Sequence, residues 1–233
     1  MRFVISEEVF RVLPTVCFGV VVAKGIDNHG PRTEINELLD RIVETVKDKF
    51  RQTRLKEHPD VLCYREAFQR LGINPNKFPC SVEALTARVL KGGTLPDINP
   101  AVNLVNAISL KYTLPMGAHD LDTVQGDMHV RFSRAGDVFV PFGQSEPEVL
   151  EEGELVYADG REVRTRRWIW RQSDRGKVTN ESTNIFFPID GFADRNRQAV
   201  LAAREELADC LQRYFNCRIE RFYLDAANRI AVF

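Results

Sequence analysis

The sequence predicts an α+β fold in which helices pack on a largely antiparallel sheet. Three observations predict it. Apolar residues recur at helical spacing through the first half of the chain, then alternate with polar ones through most of the second. Gly, Asp and Pro turns punctuate the alternating stretches. No internal repeat and no low-complexity linker breaks the order, so residues 1–233 are expected to form one α+β unit with a single sizeable core.

The elements follow in sequence. RFVIS and TVCFGVVVA are rich in β-branched and aromatic residues and are expected as strands. EINELLDRIVETVKDKF places Ile35, Leu38, Leu39, Ile42, Val43, Val46 and Phe50 on one helical face, with Thr33 as its candidate N-cap. A second helix follows Pro59 and ends at Gly72, burying Val61, Phe68 and Leu71. A third follows Ser81 and stops at Gly92-Gly93. A fourth opens on Asn99-Pro100, a cap and a first-turn proline, and runs through AVNLVNAISLKY. The period then changes to two in MHVRF, DVFVPF, ELVYAD, EVRTRRWIWR and NIFFPID. A long helix over about 194–215 carries Val200, Leu207, Leu211 and Phe215 on one face, and CRIERFYLD and NRIAVF close the chain as strands.

Composition narrows the function classes. The net charge of −1 excludes general electrostatic attraction to a polyanion, so such a partner must meet a local patch. No segment approaches the roughly 20 apolar residues of a membrane span, and MRFVISEEVF has no apolar core of signal-peptide length; the expected location is the cytoplasm. Cys17, Cys63, Cys80, Cys210 and Cys217 are an odd number without metal-ligand spacing and are expected as reduced, mostly buried thiols. His29, His58, His119 and His129 also lack metal spacing, so neither a metal nor another cofactor is expected. The phosphate-cradling Gly loop, the GxSxG elbow, HExxH and paired CxxC are all missing.

CYREAFQRLGINPNKFPCSVEALTARVLKGGTLPDINPAVNLVNAISLKYTLPMGAHDLDTVQGD, followed by VYADGREVRTRRWIWRQSDRGKVTNESTNIFFPIDGF, resembles the B3/B4 editing module of the bacterial phenylalanyl-tRNA synthetase beta chain over roughly 60–192. The likeness is closest to freestanding relatives of that module. It implies that module's fold and a pocket between two lobes that takes an amino-acid moiety and the terminal adenosine of tRNA. The expected activity is trans-acting editing, hydrolysis of the ester of a mischarged tRNA by a positioned water. The alternative is a non-catalytic tRNA- or amino-acid-binding module on the same fold; a small-molecule ester or amide hydrolase is a weaker third. The expected partners are the aminoacylated 3′ end of tRNA and its amino acid, with oligomeric state left open.

Residue by residue the match has gaps. The family's Gln-Pro-Leu-His-Ala-Phe-Asp is LPMGAHD here, so its histidine falls on Gly117 and His119 stands where the phenylalanine would be. A shift of two along an extended chain keeps a side chain on the same face, so His119 is the candidate to orient or deprotonate water, with Asp120 or Asp122 to orient it. The family's Gly-Val-Met-Gly-Gly loop falls on IWRQS, which puts Gln172 and Ser173 at the last two glycines. Both are candidate catalytic hydrogen-bonding groups, and Asn106 is a candidate contact to the amino acid or ribose. The family's tyrosine-reading glutamate falls on Pro188, so tyrosine specificity does not transfer; Asp190, two further on, is expected to face the same way. An activated ester needs positioning and an oxyanion site more than a covalent nucleophile.

In VRTRRWIWRQS, strand alternation puts Arg164, Arg166, Trp168 and Trp170 on one face. The tryptophans are core, pocket wall or a base-stacking platform. Arg164, Arg166, Arg167, Arg171 and Arg175 are candidate phosphate contacts, against the rival of a solvated strand edge blunted by charge. Arg65 is expected to pair with a buried carboxylate, and Asn74-Pro75-Asn76 to form a turn.

Overall fold

The computed structural model describes residues 1–233. The chain opens with β1 (Arg2–Ile5), a short helix α1 (Glu7–Val12) and β2 (Val16–Lys24). Four helices follow: α2 (Thr33–Lys49), α3 (Pro59–Arg70), α4 (Ser81–Leu90) and α5 (Pro100–Tyr112). Short strands then alternate with turns: β3 (His119–Asp120), β4 (Met128–Phe132), β5 (Val138–Phe139), β6 (Glu148–Val149), β7 (Leu155–Asp159), β8 (Glu162–Arg166) and β9 (Arg171–Gln172). The long β10 (Asn184–Phe192), α6 (Arg197–Phe215), β11 (Arg218–Leu224) and β12 (Ile230–Val232) complete it.

The strands form two sheets, not one. An eight-stranded sheet runs β12-β1-β4-β7-β8-β5-β6 with β9 added on β8, and a four-stranded sheet runs β11-β2-β10-β3. Pairing is antiparallel except for β1 with β4 and β5 with β8. The unbroken apolar run of β2 explains the second sheet: a strand buried on both faces reads as continuous, not alternating. Eight of its nine residues are buried. One face of β2 and β10 carries Gly19 and Gly191 against α6, where Val200 leaves no room for a methyl group at Gly191 (2.4 Å from an added Cβ). The other face carries Phe18 and Phe186, which meet Phe3 of the first sheet at ring distances of 6.0 and 4.8 Å. Trp168, Tyr157 and Tyr64 join the same core.

Local signals decide most element ends. Asn99 caps α5 by accepting from Val102 N at 3.1 Å. Thr33, in contrast, is the first helical residue of α2, and Arg32 holds the cap position without a side-chain bond. Arg65 pairs with the buried Glu83 at 2.7 Å, and Asn74 Oδ1 closes its turn onto Asn76 N. All five cysteines are free, with Cys210 alone partly exposed. No helix is long and apolar enough to cross a membrane.

The largest departure from the sequence reading lies at 162–171. β8 ends at Arg166, and Arg167 and Trp168 take left-handed backbone conformations with φ of 48° and 60°. The chain turns, and β9 runs back antiparallel, pairing Gln172 with Thr165. The face alternation therefore stops at Arg166. A left-handed tryptophan is sterically costly, and here the burial and hydrogen bond of its indole offset that cost.

Candidate functional site

The sheet geometry dictates which side chains can share a cleft. Antiparallel partners lie on the same face, so the pairs Phe186↔His119 and Phe18↔Asp190 fix the inward face of the four-stranded sheet. Pro188 lies between Phe186 and Asp190 on that face by the two-residue period. The first sheet supplies Tyr157, Thr165, Arg171 and Gln172, and the turn after β8 supplies Trp168 and Trp170. Together with Gly117, His119, Pro188 and Asp190 these line a cavity of about 90 Å³. A second cleft of about 350 Å³ adjoins it, sharing Ser81, Met116 and Trp170 and adding Arg88, Asn106 and Ser109.

His119 is buried, and its ring stacks on Tyr157 with centroids 5.8 Å apart. A Cβ built on Gly117 would stand 3.3 Å from His119 Nε2 and equally far from Pro188 Cγ. The imidazole thus reaches the space beside Gly117 from two residues further on. Gln172 Nε2 donates to the Ala118 carbonyl at 2.6 Å and stands 3.4 Å from His119 Nδ1. An amide N–H facing it favours Nδ1 as the acceptor and the ring proton on Nε2. Burial, helped by the charge of Arg164, pushes the His119 pKa down to about 3. The ring is neutral near neutral pH and presents a donor, and a group with so low a pKa takes up protons poorly.

Asp190 is buried at the floor of the cavity. Its Oδ1 accepts from Tyr157 Oη at 2.7 Å and from Trp168 Nε1 at 2.6 Å, while its backbone carbonyl accepts from Tyr64 Oη at 2.9 Å. Oδ2 receives no protein hydrogen bond, and no Lys, Arg or His pairs with the carboxylate. Burial raises its pKa to about 7, with the two donors holding back part of the rise.

Other expected residues lie elsewhere. Asp120 neighbours His119 in β3 and so faces the opposite way; its carboxylate caps Asp122 N and accepts from Ser182 Oγ, and it does not orient the histidine. Gln172 occupies that place. Ser173 is buried outside the cavity, donating to the Val140 carbonyl at 3.1 Å and accepting from Arg175 N. Asn106 lines only the adjoining cleft.

The arginine run divides sharply. Arg164 is buried, ion-paired with Asp159 and bonded to the Thr123 carbonyl, which removes it from any surface contact. Arg166 grips Glu154 with two bonds of 2.9 and 3.0 Å and reaches Glu148. Arg167 lies 3.9 Å over the Phe78 ring and pairs with Glu154, and Arg175 pairs with Glu162. Arg171 is exposed, makes no ion pair and covers Trp170 at 4.7 Å. Of these five, Arg171 alone has a free charge at the cavity mouth. Trp168 is core, and Trp170 is cavity wall, held edge-on by Phe78.

Tyr157, Arg88 and Ser81 were not anticipated. Tyr157 joins the site only through the pairing of β7 with β4 and β8, a non-local fact that no local spacing encodes.

Comparisons with known proteins converge on one family. The model of the B3/4 domain matches residues 63–229, extending past the cavity through α6 and β11. The phenylalanine--tRNA ligase beta subunit of Colwellia psychrerythraea is 32% identical over 122 residues, 52% of this chain and 14% of that protein. The corresponding subunit of Fusobacterium nucleatum is 26% identical over 181 residues, 71% of this chain and 19% of that protein. The chain therefore spans under one fifth of the length of these relatives. Among solved structures, an N-terminal fragment of the phenylalanyl-tRNA synthetase beta-subunit from Pyrococcus horikoshii superposes with a TM-score of 0.52 at 11% identity, over 95% of this chain and 53% of that one. That likeness concerns the fold alone.

Proposed function

The chain belongs to the B3/4 domain family, and from that premise we propose that it hydrolyses the ester of mischarged aminoacyl-tRNA in trans. The observation that carries this reading is the His119 Nε2 donor beside Gly117, at the wall of a cavity that shares Ser81, Met116 and Trp170 with a second, larger cleft. The aminoacyl group enters the smaller cavity. The terminal nucleotide lies in the larger cleft, against Trp170 and Asn106, with its phosphate toward Arg171 and Arg88.

The chemistry asks for no covalent nucleophile. Water attacks the ester carbonyl carbon, the carbonyl oxygen gains negative charge, and the bond to the ribose oxygen breaks as that oxygen takes a proton. His119 Nε2–H donates to the oxygen on which charge develops, and Gln172 fixes the ring tautomer from behind. A buried donor needs no reorganisation during the reaction, and removing one such donor typically costs about 100-fold to 1,000-fold in rate.

The second reading is a module that binds aminoacyl-tRNA or its amino acid without cleaving it. The polar side chain of Gln172 at the cavity wall, where the resemblance puts a glycine, favours it. A panel of correctly and wrongly charged tRNAs, incubated with excess protein, separates the two. Accelerated loss of at least one wrong ester supports hydrolysis; retention of every ester on tRNA that is demonstrably bound supports the binding module.

A further inference from the structure

We infer that the cavity selects a short aminoacyl side chain ending in a hydrogen-bond donor, a hydroxyl or an ammonium, and that Asp190 Oδ2 reads it. The inference rests on the editing reading for the identity of the ligand's other half, the ester-linked nucleoside.

Three features of the floor carry it. Asp190 is 2% exposed, and its two side-chain hydrogen bonds both fall on Oδ1, while Oδ2 keeps a trace of accessible surface. The same carboxylate is one of the residues lining the cavity. Its other oxygen is saturated by Tyr157 Oη and Trp168 Nε1, which lock the group in place. Burial with no cation beside it disfavours the charged form of Asp190, and a donor at Oδ2 stabilises that form. A ligand supplies that donor.

The positions around it set the sign of the selectivity. The only charges at the cavity are Asp190 at the floor and Arg171 at the mouth. An incoming donor or cation thus meets the carboxylate, and the phosphodiester it trails meets the guanidinium. An apolar side chain of the same size would leave Oδ2 unpaired and dehydrated, which a site built this way rejects.

Size sets the second limit. The cavity of about 90 Å³ is smaller than the roughly 150 Å³ of an apolar cavity that holds benzene. Trp168, Tyr157 and Pro188 all line this cavity, and the space beside Gly117 is already closed by His119 Nε2 and Pro188 Cγ, each 3.3 Å from an added Cβ. Serine, threonine and short diamino side chains fit these limits.

The test uses non-hydrolysable 3′-aminoacylamino-adenosines carrying seryl, alanyl, 2,4-diaminobutyryl and phenylalanyl groups, titrated calorimetrically into the wild-type protein and into Asp190→Asn. Asparagine keeps an oxygen for Tyr157 and Trp168 and replaces Oδ2 with a donor. The wild type is expected to prefer the seryl or diaminobutyryl analogue over the alanyl one by at least about tenfold and to bind the phenylalanyl one weakest. Asp190→Asn is expected to erase the preference for the donor-bearing analogues over the alanyl one. The two donor-bearing analogues tell hydroxyl from ammonium recognition. Wild-type affinity for the seryl and the diaminobutyryl analogue no higher than for the alanyl one overturns the inference whatever the folding of the variant. Phenylalanyl binding as tight as seryl overturns the size limit. Because the analogues cannot be cleaved, selective binding alongside failure to cleave any real ester would sink the hydrolase reading alone. Cleavage without the preference would sink this inference alone.

Discussion

The indole Nε1–H of Trp168 donates to Asp190 Oδ1 at 2.6 Å, joining the left-handed turn after β8 to the strand that floors the cavity. Tyr157 Oη meets the same oxygen at 2.7 Å. Trp168→Phe keeps most of the buried ring but leaves Asp190 with one donor fewer. Stability should fall by about 1–3 kcal/mol, measured by urea denaturation at pH 6, and the Asp190 pKa should rise further above 7. A variant as stable as wild type would show that the indole bond contributes nothing net.

The buried His119 and Asp190 should give opposing pH dependences. His119 is held down to about 3, so its stability contribution is fully present above about 6.5 and is lost as pH falls through 3. Asp190 is raised to about 7, so its contribution is fully present below about 3.9 and is lost as pH rises through 7. Between about pH 4 and 6.5 the slopes oppose each other. Removing either group should expose the other. Asp190→Asn should become more stable across this window as pH rises, and His119→Asn less stable. The shared core predicts that each loss occurs in one transition. Equal slopes in both variants, read from urea midpoints, would contradict the assigned shifts.

Arg164 and Arg171 should separate structure from binding. Arg164→Ala strands the buried Asp159 and should cost about 3–5 kcal/mol. Arg171→Ala, at an exposed position without a carboxylate partner, should change stability by less than about 0.5 kcal/mol. The same variant should weaken tRNA binding and flatten its salt dependence, because each phosphate contact releases counterions. An unchanged salt slope in Arg171→Ala would remove this arginine from the interface.

Gly117→Ala tests the cavity itself. The added methyl group would sit 3.3 Å from both His119 Nε2 and Pro188 Cγ. It should leave the melting temperature within a few degrees of wild type while lowering ester hydrolysis by at least about tenfold, since it covers the donor that the reaction uses. Full activity in a folded Gly117→Ala protein would place the reacting ester elsewhere.

Much of this architecture was legible in the chain because its signals are local. Asn99-Pro100 fixes the start of α5, the apolar run at 16–23 fixes β2, and the family motifs at 63–127 and 156–192 led to the cavity. What stayed hidden depends on pairings distant in sequence. The turn at Arg167–Trp168 defies the alternation of its own segment, because core burial and Asp190 hold the indole where strand geometry would not. The arginines looked like one basic stripe, yet Asp159, Glu154, Glu148 and Glu162 neutralise four of the five through contacts that spacing alone does not encode. Asp120 looked like the partner of His119 by adjacency, and strand geometry turns adjacent residues apart.

The most direct test of the account is the single-turnover release of an amino acid from mischarged tRNA, compared between wild type and His119→Ala with the spontaneous rate as baseline. The account predicts release above the spontaneous rate for at least one wrong ester, and a loss of about 100-fold or more in His119→Ala with tRNA affinity retained. Release no faster than the spontaneous rate for every ester, by wild-type protein shown to bind the charged tRNA, would contradict it.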